Sequence, residues 1–374
     1  MLKYLKHFLP AFSSILFLAI LSMGEYYPTF FLIGFSLFII VGDAILPRDK
    51  EIQQFSYPGI LNLSIYINLP ILVVLVMVIT AIFSPDVSPW YGNSIDAYLY
   101  PDFNPLSHSF NTIDQCALII QTSLFIGVLG TVPGHELTHR VNNTFDMLVG
   151  NWLLAFSCDC TFAIEHVYGH HKNACLPEDP ASAKRGENIY LFIVNAVFRE
   201  HIDGWKIELT RLRRVGHRPV GFYNRMLIGY LRSLFIAIVV FTISGGVGVL
   251  CFMICALVAK VFLEAINYVE HYGLVREGGK RVHMRHSWNS NHFMSSIYLY
   301  NVTRHSDHHR LARLKFWELH PCPENAPMAP YGYLSMLYLV LLTPFLYKKI
   351  MEDKLLDWDL NYANSEEKKL AATL

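Results

Sequence analysis

Long apolar runs separated by short polar connections dominate the chain. Six of them, at 8–24, 27–46, 58–83, 113–134, 224–243 and 246–266, have the length needed to cross a bilayer core as helices, which takes roughly 20 mostly apolar residues. A seventh apolar stretch, Tyr331 to Tyr347, is shorter and contains Pro344, so an interfacial or re-entrant helix is expected there. Lys3 and Lys6 precede the first run and no small-residue cleavage site follows it, which predicts a retained first helix. The pattern predicts an all-α integral membrane bundle of about six transmembrane helices. No internal repeat or low-complexity tract divides it, so residues 1–374 are expected to form a single integral membrane domain.

The basic residues orient the bundle. Neither Lys nor Arg occurs between Lys6 and Arg48, between Lys50 and Arg140, or between Arg232 and Lys260. Because cytoplasmic loops are enriched in Lys and Arg, a cytoplasmic N-terminus places the connections Gly24–Pro28, Ser84–Asn111 and Ser244–Gly246 outside. Both termini, the basic segment from Arg140 to Tyr223 and everything after Lys260 are then cytoplasmic. A multi-pass protein of a bacterial inner membrane is the expectation.

Composition agrees with a membrane protein. Hydrophobic residues make up 53% of the chain and charged residues only 16%, against about 25% charged in soluble domains. A net charge of zero leaves no basic surface for nucleic acid. The seven cysteines are scattered and form no C-x-x-C pair, so neither a disulfide framework nor a thiolate metal site is expected. One-electron chemistry would therefore need another polypeptide as donor.

The seventeen histidines carry the candidate chemistry. Nine fall in four clusters: His135 and His139; His166, His170 and His171; His271; and His305, His308 and His309. Each cluster lies at or beyond the cytoplasmic end of an apolar stretch. Residues three and four apart share a helix face, so His135/His139, His166/His170 and His305/His308/His309 are expected to present their rings together. Adjacent His170 and His171 diverge by about 100° and could serve two metals. Imidazole suits iron, zinc and copper, and nine candidate ligands exceed the needs of one ion. Two metals are implied. Glu136, Glu165, Glu270 and Asp307 are placed to accept hydrogen bonds from the second ring nitrogens and orient the rings. His7, His108, His201, His217 and His320 stand alone and read as ordinary interfacial residues, whereas His283, His286 and His292 suit a loop or supporting role.

Two other classes compete with this reading. His135-Glu-Leu-Thr-His139 matches H-E-x-x-H, in which two histidines bind zinc and the glutamate is the base of a metalloprotease. One zinc needs only one further ligand there, which leaves six or more clustered histidines unexplained. A transporter or metal carrier would predict ionisable groups near the bilayer midplane, but these clusters sit at the span ends.

The stretches GHELTHR (134–140), IEHVYGHHKNACLPEDPASAKRGENIY (164–190), NYVEHYGL (267–274), HSWNSNH (286–292) and RHSDHH (304–309) resemble the membrane-bound alkane monooxygenase family. That family lies within the wider group of histidine-rich di-iron desaturases and hydroxylases. With Gly42-Asp43-Ala44 and ELHPCPENAPMAP, the resemblance covers most of the chain, and NYVEHYGL and HSWNSNH separate it from fatty-acid desaturases. Arg140 stands where the family often has lysine, and Val302-Thr303 where Leu-Gln is common. The tail is also similar to xylene-type methyl monooxygenases.

The resemblance implies two non-haem irons held by the nine histidines, with O₂ used to hydroxylate the terminal carbon of an alkane that enters from the bilayer. It also implies electrons from rubredoxin and its NADH-dependent reductase. Alternatives within the group are methyl hydroxylation of alkylbenzenes and fatty-acid desaturation or hydroxylation. Phe35 lies eight residues before Asp43 in the second span, roughly 12 Å deeper in the bilayer by helical rise. It is the candidate for limiting substrate length in the channel.

Overall fold

The computed structural model describes residues 1–98 and 104–373 and is helical, with no strand among the described residues. Among the described residues five helices are long and apolar enough to cross a membrane: Lys3–Leu21, Tyr27–Ile45, Pro58–Ile82, Thr112–Thr138 and Arg225–His271. The expected outer connection 84–111 lies partly outside the described residues.

The 47-residue helix Arg225–His271 covers both the fifth and the sixth expected spans. A straight helix would put Gly229 and Lys260 about 46 Å apart. Instead the Cα of Gly229 faces the Cβ of Cys160, and Lys260 Nζ lies 2.6 Å from the carboxylate of the adjacent Asp159. The chain therefore doubles back, and the break is Gly245, whose φ of 59° and ψ of −160° are non-helical. Only glycine takes that conformation without strain. The two apolar halves then lie where 224–243 and 246–266 were expected, joined by a break shorter than a loop.

Helix starts follow local chemistry. Asn111, Asn143, Asn188 and Asn224 are each N-caps whose side-chain oxygen accepts from the first free amides of the helix that follows. The apolar stretch 331–347 divides at Thr343, giving helix Tyr333–Leu342, too short to span, and helix Pro344–Asn361. Proline suits the first turn, where its missing N–H costs nothing.

The segment from His271 to Leu342 closes over the histidine-bearing end of the bundle, burying Trp288, Tyr298, Tyr300 and Tyr333 completely. Helices Pro344–Asn361 and Ser365–Ala371 clamp it from outside. Trp358 Nε1 donates to the Arg285 carbonyl at 2.6 Å.

Candidate metal centre

The structure brings all nine clustered histidines together in two groups. His135, His139, His166, His171 and His308 form one, and His170, His271, His305 and His309 the other. Within each group the candidate ligand atoms all lie within 4.8 Å of one another. In the first group Nε2 atoms approach at 3.0 Å (His135–His308, His171–His308), 3.1 Å (His166–His171) and 3.2 Å (His135–His139). In the second, His305–His309 and His170–His309 stand 3.0 and 3.2 Å apart. With metal–nitrogen bonds of about 2.1 Å, ligands at right angles are about 3.0 Å apart, and at the tetrahedral angle about 3.4 Å. The observed spacings lie nearer the right-angle value than the tetrahedral one, and the five histidines of the first group exceed the four ligands that tetrahedral zinc takes.

The sharing of histidines between groups differs from the α-helical expectation at two clusters. His166 joins His171, not His170, because residues His166–His170 form a π-helical turn in which positions five apart align. His308 points to the first group while His305 and His309, four apart, serve the second. His135 and His139 share a group as their spacing predicts, and adjacent His170 and His171 fall in different groups.

All nine rings are buried or nearly so. Burial, then the neighbouring imidazoles, holds His166, His171, His305, His308 and His309 well below the usual histidine range. For His139 the same causes bring the value down to about 3. Neutral imidazole is the form that ligates metal.

Of the four carboxylates expected to orient the rings, none accepts from a second ring nitrogen. Glu136 is clamped by Arg140 at 2.6 and 3.2 Å. Asp307 holds Arg310 at 2.7 Å and the backbone of His320 at 2.9 Å. Glu165 is buried near Asp179, Asp203 and Lys260, and burial, then Asp179, pushes its pKa well up. Glu270 lies closest: its Oε2 stands 3.2 Å from Nε2 of His305, on the ligand side of the ring, while its buried Oε1 has no partner.

The orienting groups are others. Asp179 accepts from His170 Nδ1 at 3.0 Å and from Ser182 at 2.5 Å. Against the burial that would raise it, His170 and these bonds hold its pKa below the ordinary value. The signal was the acidic Glu178-Asp179 pair in the quoted stretch, eight and nine residues past His170. The second is a backbone group, the His286 carbonyl, 2.9 Å from His271 Nδ1. A carbonyl only accepts, so His271 carries its proton on Nδ1. Its Nε2, buried and without a partner, then presents a lone pair to the second group.

An apolar cavity of about 660 Å³, mouth included, ends on this centre. Leu124, Gly127, Val128, Phe262, Leu334 and Leu337 line its walls, and His135, His166, His305 and Glu270 its polar end. Phe35 is not among its lining residues. It stacks on Phe31, meets Phe125 and Tyr298, and lines a separate cleft between the first two spans with Leu9, Phe12 and Ser13.

Comparison with known proteins gives consistent matches. The fatty acid desaturase family matches residues 115–339. Alkane 1-monooxygenase 1 of Pseudomonas aeruginosa is 36% identical over 241 residues, 63% of this chain and 62% of its own length. The alkane 1-monooxygenase of Acinetobacter baylyi is 32% identical over 307 residues, 76% of this chain and 73% of its own. The xylene/toluene monooxygenase hydroxylase component of Pseudomonas putida is 28% identical over 352 residues, covering 93% of this chain and 89% of its own. The chain spans just under two-thirds of the first few relatives it matches, at 62%, 65% and 66%.

Proposed function

The chain belongs to the fatty acid desaturase family and to that of the alkane 1-monooxygenases, and on that premise we propose that it is an O₂-dependent terminal hydroxylase of alkanes. The observation that carries this reading is an apolar cavity ending on two adjoining imidazole groups. We assign the nine histidines as ligands of two irons. Imidazole ligation and a coordination number above four favour iron over zinc. When bound, the irons would supply the electrons and the O₂ site for cleaving the O–O bond. One oxygen atom ends in the alcohol and the other in water, with two electrons and two protons taken up.

The chain's own residues do the rest. The walls from Leu124 to Leu337 bind a hydrocarbon through apolar contact alone and exclude water, so only its end meets the polar floor. That floor draws His135 and His166 from one group and His305 from the other, with Glu270 beside His305. Asp179 and the His286 carbonyl fix the rings of His170 and His271. The buried Oε1 of Glu270 is free to take or give a proton at the cavity's end. The protease alternative lacks its base, because Glu136 is tied to Arg140 at 2.6 Å.

The polar end is assigned to the cytoplasmic side of a bacterial inner membrane, with six passes and both termini inside. Electrons come from rubredoxin and its NADH-dependent reductase. Methyl hydroxylation of alkylbenzenes is the second reading, favoured by the match to the xylene/toluene component over 93% of this chain. The test is turnover of purified protein under ¹⁸O₂ with alkanes, toluene and fatty acids, alongside metal analysis. A labelled primary alcohol from alkanes and two irons per chain are expected. An olefinic product, or zinc with O₂-independent peptide cleavage, would overturn the assignment.

A further inference from the structure

We infer that Glu367, on the last helix of the chain, is a positioning residue for His271, acting through the ring and carbonyl of His286. The inference rests on the two-metal reading above.

The chain of contacts is short and directional. The His283 N–H donates to His286 Nδ1 at 3.0 Å, so that nitrogen is unprotonated and the ring proton sits on Nε2. Nε2 lies 2.7 Å from Glu367 Oε1 and donates to it. The same carboxylate accepts from Arg285 at 2.8 and 3.1 Å and from the Asn364 amide at 3.0 Å. His286 is fully buried and Glu367 nearly so.

The backbone of this turn is held by the same end of the chain, through the Trp358 bond to the Arg285 carbonyl at 2.6 Å. Its output is the His286 carbonyl, which accepts from His271 Nδ1 and from the Cys175 thiol, each at 2.9 Å. Burial pushes the Cys175 thiol up, so it stays protonated and donates. Ser306 ties the next carbonyl, that of Ser287, at 2.9 Å, beside His305. A carboxylate 96 residues along the chain from His271 thereby sets where that ring's acceptor stands and which nitrogen faces the second group. Among the described residues no hydrogen bond joins His135 or His139 to this turn.

The consequence is selective. Loss of the Glu367 carboxylate frees the His286 ring, loosens its carbonyl and weakens the four-histidine group, to which His271 belongs, while His286 makes no hydrogen bond to a histidine of the five-histidine group. Removal of groups that orient a ligand weakens metal binding about 10- to 100-fold. The lower end is expected here, because Glu367 acts one bond further out.

The experiment titrates ferrous iron into the metal-free, full-length chain against a chromophoric chelator without O₂, for wild type, Glu367→Ala and Arg285→Ala. In Glu367→Ala one iron should bind as in wild type and the other about tenfold more weakly. Arg285→Ala keeps the His286–Glu367 bond and should retain both affinities. Unchanged binding in Glu367→Ala, equal weakening of both irons, or equal weakening in Arg285→Ala would overturn the inference. Proton exchange at His271 Nδ1, followed by NMR of ¹⁵N-histidine-labelled metal-free protein, provides a second readout and should be faster in Glu367→Ala alone. A wild type that binds fewer than two irons would defeat the two-metal reading, while this exchange rate still decides the role of Glu367.

Discussion

Gly127 is the position at which the cavity can be shortened without disturbing the protein around it. It lines the apolar wall, and a Cβ built there meets nothing within 4 Å, so a side chain would project into space that substrate is proposed to fill. It lies eight residues before His135 on the same spanning helix, roughly 12 Å from the polar end at helical rise. Gly127→Val adds three carbons and should displace about three methylenes of any chain that reaches past that level. At about 0.8 kcal/mol per buried methylene, the loss is about 2.4 kcal/mol, or roughly sixtyfold in kcat/KM. Gly127→Ala, adding one carbon, should cost about fourfold by the same arithmetic. Shorter alkanes, whose tails stop before Gly127, should keep their rates. The assay is competition among alkanes of graded length in one vessel, with iron content measured in parallel. A uniform loss across all lengths, or none, would refute the placement of substrate in this cavity.

His→Ala at any of the nine clustered positions should remove turnover and lower iron per chain, whereas His108, which bonds the Ser22 carbonyl, and His217, stacked on Tyr223, should tolerate it. Asp179→Asn should weaken iron binding about 10- to 100-fold by releasing His170, measured by chelator competition; unchanged affinity would remove Asp179 from the support of the centre. With no C-x-x-C pair in the chain, purified protein and NADH alone should be inactive, and added rubredoxin and its reductase should restore product. Against the burial that would raise it, bonds from His286 and Arg285 hold Glu367 at about 2. Its folded pKa is thus below the unfolded value, so its contribution to stability is full above about pH 4.3 and is lost as pH falls toward 2. Protease sensitivity of the last helix should rise over that window, and a transition centred near neutrality would contradict it.

Much of this architecture was legible because it rests on length and spacing. Apolar runs of span length gave the bundle, and the tight histidine clusters gave the nine candidate ligands. What spacing could not give is whatever depends on which turn the backbone takes. His166 and His170 look like an α-helical pair until the π-helical turn moves His171 into that place. The support of the rings was harder still. Glu136, Glu165, Glu270 and Asp307 adjoin ligands in sequence, but an adjacent residue on a helix points away from its neighbour's ring. Asp179 reaches His170 through a loop, and His286 reaches His271 with a carbonyl that no residue type announces. Phe35 illustrates the same limit: depth along a helix was computable, but the face it presents was not, and it packs into an aromatic cluster beside a different cleft.

The unequal division of ligands follows from these backbone choices. Had His166–His171 been regular α-helix, His166 and His170 would have shared a face, and His171 would have turned away from His166. The π-helical turn adds one residue to the repeat and so delivers His166 and His171 to one group and His170 to the other. The result is five imidazoles against four, with Glu270 Oε2 standing 3.2 Å from a ligand nitrogen of the smaller group. Within that smaller group His170 and His271 are held from behind, by Asp179 and the His286 carbonyl, whereas Nδ1 of His305 and of His309 has no partner. The cavity floor takes its histidines from both groups, so under the proposed function a bound hydrocarbon's end would meet the gap between them rather than either alone. The proposed selectivity for the terminal carbon would then need no directional contact to the substrate, because apolar walls would leave only the chain's end within reach of the polar floor.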